Sequence, residues 1–511
     1  MNKQLPERPD LDQLRKQAKE LQKAFRAGEP EAIARVGDVK GAKLSLLDAQ
    51  RTLAREYGFP SWAKLKLHIE ALETGLATAR LVVAATHGDQ ATLSALLADR
   101  PKLARQTVSA CAVLGDVEGL RAWVAKNSEF ARASGGLCDA GALTYVCLGR
   151  LGGDETARVA CADLLLSHGA DPNATWKATD GYDGRLPTLY AAVGMNNYPN
   201  LARRLLAAGA KPDDGESVFH AAEKNHRECL EALLAAGADI GGRDRKWKNT
   251  PLYFLLGWSP GAAPAAEARA GIVWLLEHGA NPNVSTYDHA ETPLFPAVRN
   301  GWDLDLIRLM LDRGADATIR RADGTRICSV AVKAGRADVV DLLVARGAVD
   351  EATPAERFLG AVAGGREAEA RERLATNPAW RQQLAGEITA LLVGASRRGD
   401  VGPVRVAGAL ELDCDQPGDN GGRPLHWAAW HGQLAAVMIL VELGADLNRR
   451  DASFNAPPLG WCVHGSANCR AITGDYGTVA EVFLAAGADR PPHGAAGGSA
   501  AVQAAFARYP K

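Results

Sequence analysis

The sequence predicts an all-α solenoid, with about twelve helix-pair units stacked behind a helical N-terminal cap. Three observations predict it. A phrase of the form Leu-Leu-x-x-Gly-Ala followed by Asp, Asn or Lys recurs down the chain, as in Leu164–Asn173 (LLLSHGADPN), Ala232–Gly241 (ALLAAGADIG), Trp274–Asn283 (WLLEHGANPN) and Val482–Arg490 (VFLAAGADR). A second phrase stands about twenty residues ahead of it, reading TPLY at Thr250–Tyr253, TPLF at Thr292–Phe295 and RPLH at Arg423–His426. Finally, 511 residues exceed what one compact core usually holds. A row of units that touch only their neighbours has no such ceiling.

The elements follow in chain order. Residues 1–75 are read as a cap region with two helical stretches in Leu11–Leu72, whose apolar positions Leu14, Ala18, Leu21, Phe25, Phe59 and Trp62 shield the first repeat. The array is placed at 76–492. Its first units, Arg80–Ala104 and Val108–Ala131, turn at His87-Gly88-Asp89 and Gly115-Asp116. In the stronger units Thr250 or Thr292 caps the first helix, and the following proline takes the first helical position, where no N–H is needed. The phrase glycine ends the second helix in the left-handed conformation. The leucines before it form the stripe that neighbouring units bury. Gly347 and Gly444 lie 97 residues apart, room for two faint units, and Phe358–Leu374 and Ile388–Leu410 supply them. Residues 493–511 are read as a Gly/Ala-rich tail with one short helix, a C-terminal cap.

A period near 33, a TPLHxA-type helix start and a GAD-type helix stop resemble the ankyrin repeat over Arg80 to Arg490. The N-terminal segment resembles the helical region ahead of ankyrin arrays in many bacterial proteins, to which no activity is attached. The resemblance implies an interaction scaffold that binds a protein partner through its concave face, using inter-repeat fingers and first-helix tips. Trp, Tyr and Arg at those places are the side chains expected to anchor an interface.

Composition narrows the alternatives. A net charge of −1 argues against a general nucleic-acid binder, and the 14 Lys/Arg against 10 Asp/Glu in residues 1–70 are too mild an excess for a DNA-binding fold. Apolar runs such as Leu81–Ala85 fall far short of the roughly 20 residues that span a bilayer. The start, MNKQLPERPDLDQ, does not read as a secretory signal. Nine cysteines without a CxxC pair suggest neither a zinc clip nor a disulfide framework, so a reducing, cytoplasmic setting is expected. Nucleophile-elbow, phosphate-loop, dinucleotide and HExxH motifs are missing, and neither a metal nor a cofactor is expected.

A surplus of large polar and aromatic residues at fingers and first-helix tips is the main functional clue. The inter-helix turn is also stretched at Gly149–Thr156, Gly257–Gly271 and His464–Gly477, all on the same lip. Besides the scaffold, this allows a small-molecule site or an enzyme pocket around residues 176–302. There Asp183, Glu223, His226 and His289 are the candidate acid–base groups. Arg185 and Lys224 would hold an anion, and Tyr182, Trp247, Trp258, Tyr287 and Trp302 would line the ligand. Further bulky residues stand at Trp427, Trp430, His431, Trp461 and His464. His220 and His426 occupy the histidine of the TPLH-like phrase, where a local structural hydrogen bond is the expected role.

Overall fold

A computed structural model describes residues 3–6, 9–36, 44–178, 184–244, 248–257, 265–286, 290–418, 421–469 and 474–509. Every described copy of the Gly-Ala phrase closes a helix in the same way. Gly279 has φ of 92°, its N–H returns to Leu276, and the N–H of Ala280 returns to the carbonyl of Leu275 at 2.9 Å. This paired closure satisfies the last helical carbonyls and explains why alanine follows the glycine: its side chain is tucked in, 5% exposed. The residue four before each phrase glycine faces inward. Leu165 and Leu205 in the first half, and Leu233, Leu275, Met310, Leu343, Leu440 and Phe483 in the second, are each 0–1% exposed.

By its contacts the chain divides into two compact units, residues 1–192 with 198–210, and residues 193–197 with 211–511. The first begins with four helices, Leu11–Arg26, Pro30–Val36, Leu46–Glu56 and Trp62–His87, where two stretches were expected. Nothing interrupts the last of these before Gly88, whose φ of 78° ends it. It therefore runs through residue 75, where the cap was expected to stop. Asp89 then caps Gln90–Asp99 by accepting the N–H of Thr92. The helices Val108–Leu114 and Ala142–Leu148 pack on each other, as do Glu155–Ser167 and Pro199–Ala207. Two small hairpins add strands to this otherwise helical unit, Ser134–Gly135 with Ala140–Gly141 and Thr175–Lys177 with Arg185–Pro187.

The second unit stacks helix pairs from Ser217–Glu223 with Arg227–Ala235 to Pro458–Asn468 with Tyr476–Ala485. The faint units are present as Pro354–Ala363 with Glu367–Thr376 and Ala385–Arg398 with Val401–Ala409. Backbones touch between neighbours: a methyl group at Gly360 would overlap the carbonyl of Val332. Asparagines tie successive fingers, as where Asn283 donates to Gly314 O at 2.7 Å and accepts from Asp316 N at 2.8 Å. The terminal helix Ala500–Arg508 buries Val502, Ala505 and Phe506 against Tyr476–Ala485.

Candidate functional site

Of the residues expected around 176–302, Tyr182, Asp183, Trp247, Trp258, Tyr287 and His289 lie outside the described residues. The others have local work. Arg185 clasps its own hairpin to the preceding one: Nε donates to Thr175 Oγ1 at 2.8 Å, NH1 to Asp139 Oδ2 at 2.7 Å, and NH2 to the Thr175 carbonyl at 2.7 Å. It holds backbone and a carboxylate in place of the expected anionic ligand. Trp302, expected to line the ligand, is 1% exposed and donates its indole N–H to Leu256 O at 3.2 Å. Its ring is part of the packing.

Glu223, Lys224 and His226 are brought together at the end of Ser217–Glu223. Lys224 Nζ donates to Gly194 O at 2.8 Å, and His226 Nδ1 lies 2.6 Å from Val193 O. Burial lowers the pKa of His226, which favours the neutral ring. A pattern joins these contacts to Trp302. A side chain just past one first helix reaches the carbonyls that close the preceding first helix, as Tyr476 also does with Trp430 O at 3.1 Å. Helix ends leave such carbonyls without intrahelical partners. Much of the polar and aromatic surplus at the tips meets that structural need.

Glu223, 6% exposed, accepts from His220 Nδ1 at 2.8 Å, and Glu216 stands 3.3 Å from the other ring nitrogen. Burial pushes the His220 pKa down, but the hydrogen bonds to the two carboxylates outweigh it and hold the value at about 9. The ring is thus an imidazolium at neutral pH. His426, at the same place in its repeat, makes backbone contacts instead, with Arg423 N at 3.4 Å and Ala456 O at 3.2 Å. Because the folded-state pKa of His220 is raised, its contribution is complete below about pH 6.5 and is lost as pH rises through about 9. The stability advantage of wild type over His220→Gln should shrink by roughly 2–3 kcal/mol between about pH 6 and about pH 10. A difference that stays constant with pH in urea titrations would rule out the charged clamp.

The residues that converge on open space lie further along. Trp427 and Trp430 sit three apart on Pro424–Trp430, and Trp461 and His464 three apart on Pro458–Asn468, so each pair shares a helix face. Trp461 is the hub. Its indole N–H donates to Asp451 Oδ2 at 2.9 Å, and the rings of Trp427, Trp430 and Phe454 meet it edge-on at centroid distances of 5.1, 5.8 and 6.0 Å. Asp451 is 3% exposed and also accepts the N–H groups of Ser453, Phe454 and Ala456. Burial alone would raise its pKa, but these donors hold it below the usual carboxylate range. The finger thus wrapped around Asp451 leaves the Phe454 ring 72% exposed. Together these rings and His464 line a cleft of about 510 Å³. The Arg397 guanidinium lies 4.8 Å from the centre of the Trp427 ring.

These tryptophans lie outside residues 176–302, where the pocket was expected. The signal was the repeated Pro-Leu-x-Trp, Pro424–Trp427 and Pro458–Trp461, which puts tryptophan at equivalent places in successive units. Among the described residues no cluster of His, Cys, Asp or Glu is suited to hold a metal ion, and no helix is long and apolar enough to cross a membrane.

Helix pairs joined by finger loops, with residues of adjacent pairs sharing one cleft, define a helical repeat protein. Residues 214–245 and 420–452 match the ankyrin repeat family, and the chain carries repeats of that family. It is 25% identical over 232 residues to the E3 ubiquitin-protein ligase KEG of Arabidopsis thaliana, covering 37% of this chain and 14% of that protein. To the B-cell lymphoma 3 protein homolog of Mus musculus it is 29% identical over 169 residues, covering 32% of this chain and 36% of that one. The chain therefore spans well under half the length of either relative. Crystal structures of the human ASB11 ankyrin repeat domain and of the Bcl-3 ankyrin repeat domain align at TM-scores of 0.36 and 0.33, each at 24% identity. They cover 47% and 39% of this chain and 98% and 84% of theirs.

Proposed function

We propose that the chain is a protein-interaction scaffold whose anchor is the cleft of Trp427, Trp430, Phe454, Trp461 and His464. The observation that carries this is Phe454, a large apolar ring left 72% exposed beside three tryptophans. Aromatic side chains of this kind dominate binding energy when a partner covers them. The repeat family supports the same reading, because arrays resembling this one chiefly bind proteins. Phe454→Ala should leave stability within about 0.5 kcal/mol of wild type, since the ring is solvent-facing. It should weaken capture of the protein partner by about 2 kcal/mol or more. Affinity capture from lysate with both proteins, followed by titration of whatever is retained, checks this. Equal affinity for wild type and variant sinks the cleft as the anchor.

One observation favours a second reading. A cleft of about 510 Å³ has the size of a small-molecule site. A metabolite that raises the wild-type melting temperature, but not that of Phe454→Ala, would select it. Catalysis around residues 176–302 draws less support, because Glu223 and His226 already hold His220 and Val193.

A further inference from the structure

A second and larger cleft, of about 850 Å³, runs beside the first-helix ends of the second unit, lined by six basic side chains and three carboxylates. Most of its cations are neutralised locally. Arg299 pairs with Glu291, Arg336 with Asp338 and Lys333 with Glu356. Arg397 and Arg398, on the last turn of Ala385–Arg398, make no ion pair among the described residues and both reach solvent. Arg398 is nonetheless hemmed in closely enough that desolvation lowers its pKa from the usual arginine value. Asp400 acts on Arg398 through space, yet among the described residues neither guanidinium has a carboxylate at ion-pair distance. Two such groups beside a recess of this size form a recognition element for carboxylates and phosphates.

The two clefts share a wall. Arg397 belongs to the basic cleft, and its guanidinium covers the Trp427 ring, which lines the aromatic one. We propose that the basic cleft binds an acidic segment of the protein partner, whose neighbouring apolar side chain fills the aromatic cleft. This deepens the scaffold reading and rests on it. A segment with only a few spaced Asp or Glu side chains can meet Arg397 and Arg398 while avoiding the lining carboxylates Asp323, Glu387 and Asp400. A nucleic acid suits it less, because its evenly charged backbone would run over those carboxylates.

Short random peptides on a display library, selected on the immobilised full chain, test this. Enriched peptides should be net acidic and carry an aromatic or leucine residue. The strongest of them, synthesised and titrated by fluorescence anisotropy, should weaken with added salt and bind Arg397→Glu/Arg398→Glu at least about tenfold less tightly. Should charge reversal prevent folding, Arg397→Gln/Arg398→Gln is expected to show the same loss with a flatter salt dependence. Enriched peptides that are apolar but not acidic, and bind the arginine variants as well as wild type, overturn the acidic-segment proposal and leave the scaffold standing. An absence of enriched peptides overturns both. Single-stranded oligothymidylate bound more tightly than the best peptide overturns the choice of partner.

Discussion

Arg158→Ala is expected to destabilise the first unit by about 4 kcal/mol or more. Arg158 is fully buried on Glu155–Ser167, and its guanidinium works as a hydrogen-bonding hub. NH1 donates to Val113 O at 3.2 Å and to Val146 O at 3.0 Å, while NH2 donates to Leu151 O at 2.9 Å. Val113 and Val146 lie near the ends of two neighbouring first helices, and Leu151 lies in the stretched turn Gly149–Thr156. Removing the side chain deprives three carbonyls of their donor, at about 1–3 kcal/mol for each that stays dry, and opens a cavity. Arg158→Lys, which keeps the charge but not the fork, should fall between. Urea denaturation with hydrogen exchange over 108–114 and 142–148 measures the effect. A loss below about 1 kcal/mol would show that water replaces the guanidinium.

Leu275→Ala should cost about 2–5 kcal/mol. Leu275 is 0% exposed on Ala265–Glu277, which packs on both Ser217–Glu223 and Pro251–Leu256. Close packing across several helices leaves little room for the vacated volume to collapse. Val344, in the corresponding helix of a later repeat, is 46% exposed, and Val344→Ala should change stability by no more than about 0.5 kcal/mol. Equal losses at the two positions in thermal or urea unfolding would break the link between phrase position and burial.

Much of this was legible because a repeat states its rules many times. The spacing between Gly347 and Gly444, with the apolar pattern inside it, called for units at Phe358–Leu374 and Ile388–Leu410, and helices stand there at Pro354–Thr376 and Ala385–Ala409. The N-terminal region has no repetition, and there two expected stretches became four helices. Hairpins such as Thr175–Lys177 with Arg185–Pro187 were not anticipated either. Three residues carry no strand signal, and it is pairing across the hairpin, reinforced by Arg185 on Thr175, that makes them strands.

Thr292, expected to cap Leu294–Arg299, leaves its buried hydroxyl without a hydrogen bond among the described residues. The sequence by itself nonetheless determined the helix pairs, caps such as Thr250 and the buried column four residues before each glycine. These depend on neighbours within one turn of helix, and the chain supplies such neighbours before any folding. Only the tertiary structure decided which conspicuous side chains are structural and which remain available. Trp302 and Trp461 look alike as letters. Trp302 is sealed in with its N–H on a helix-end carbonyl, whereas Trp461 becomes the floor of an open cleft because Trp427, Trp430 and Phe454 gather round it. That difference is set by how one repeat lies on the next, since Trp302 meets Leu256, and Trp461 meets Trp427 and Trp430, across more than thirty positions.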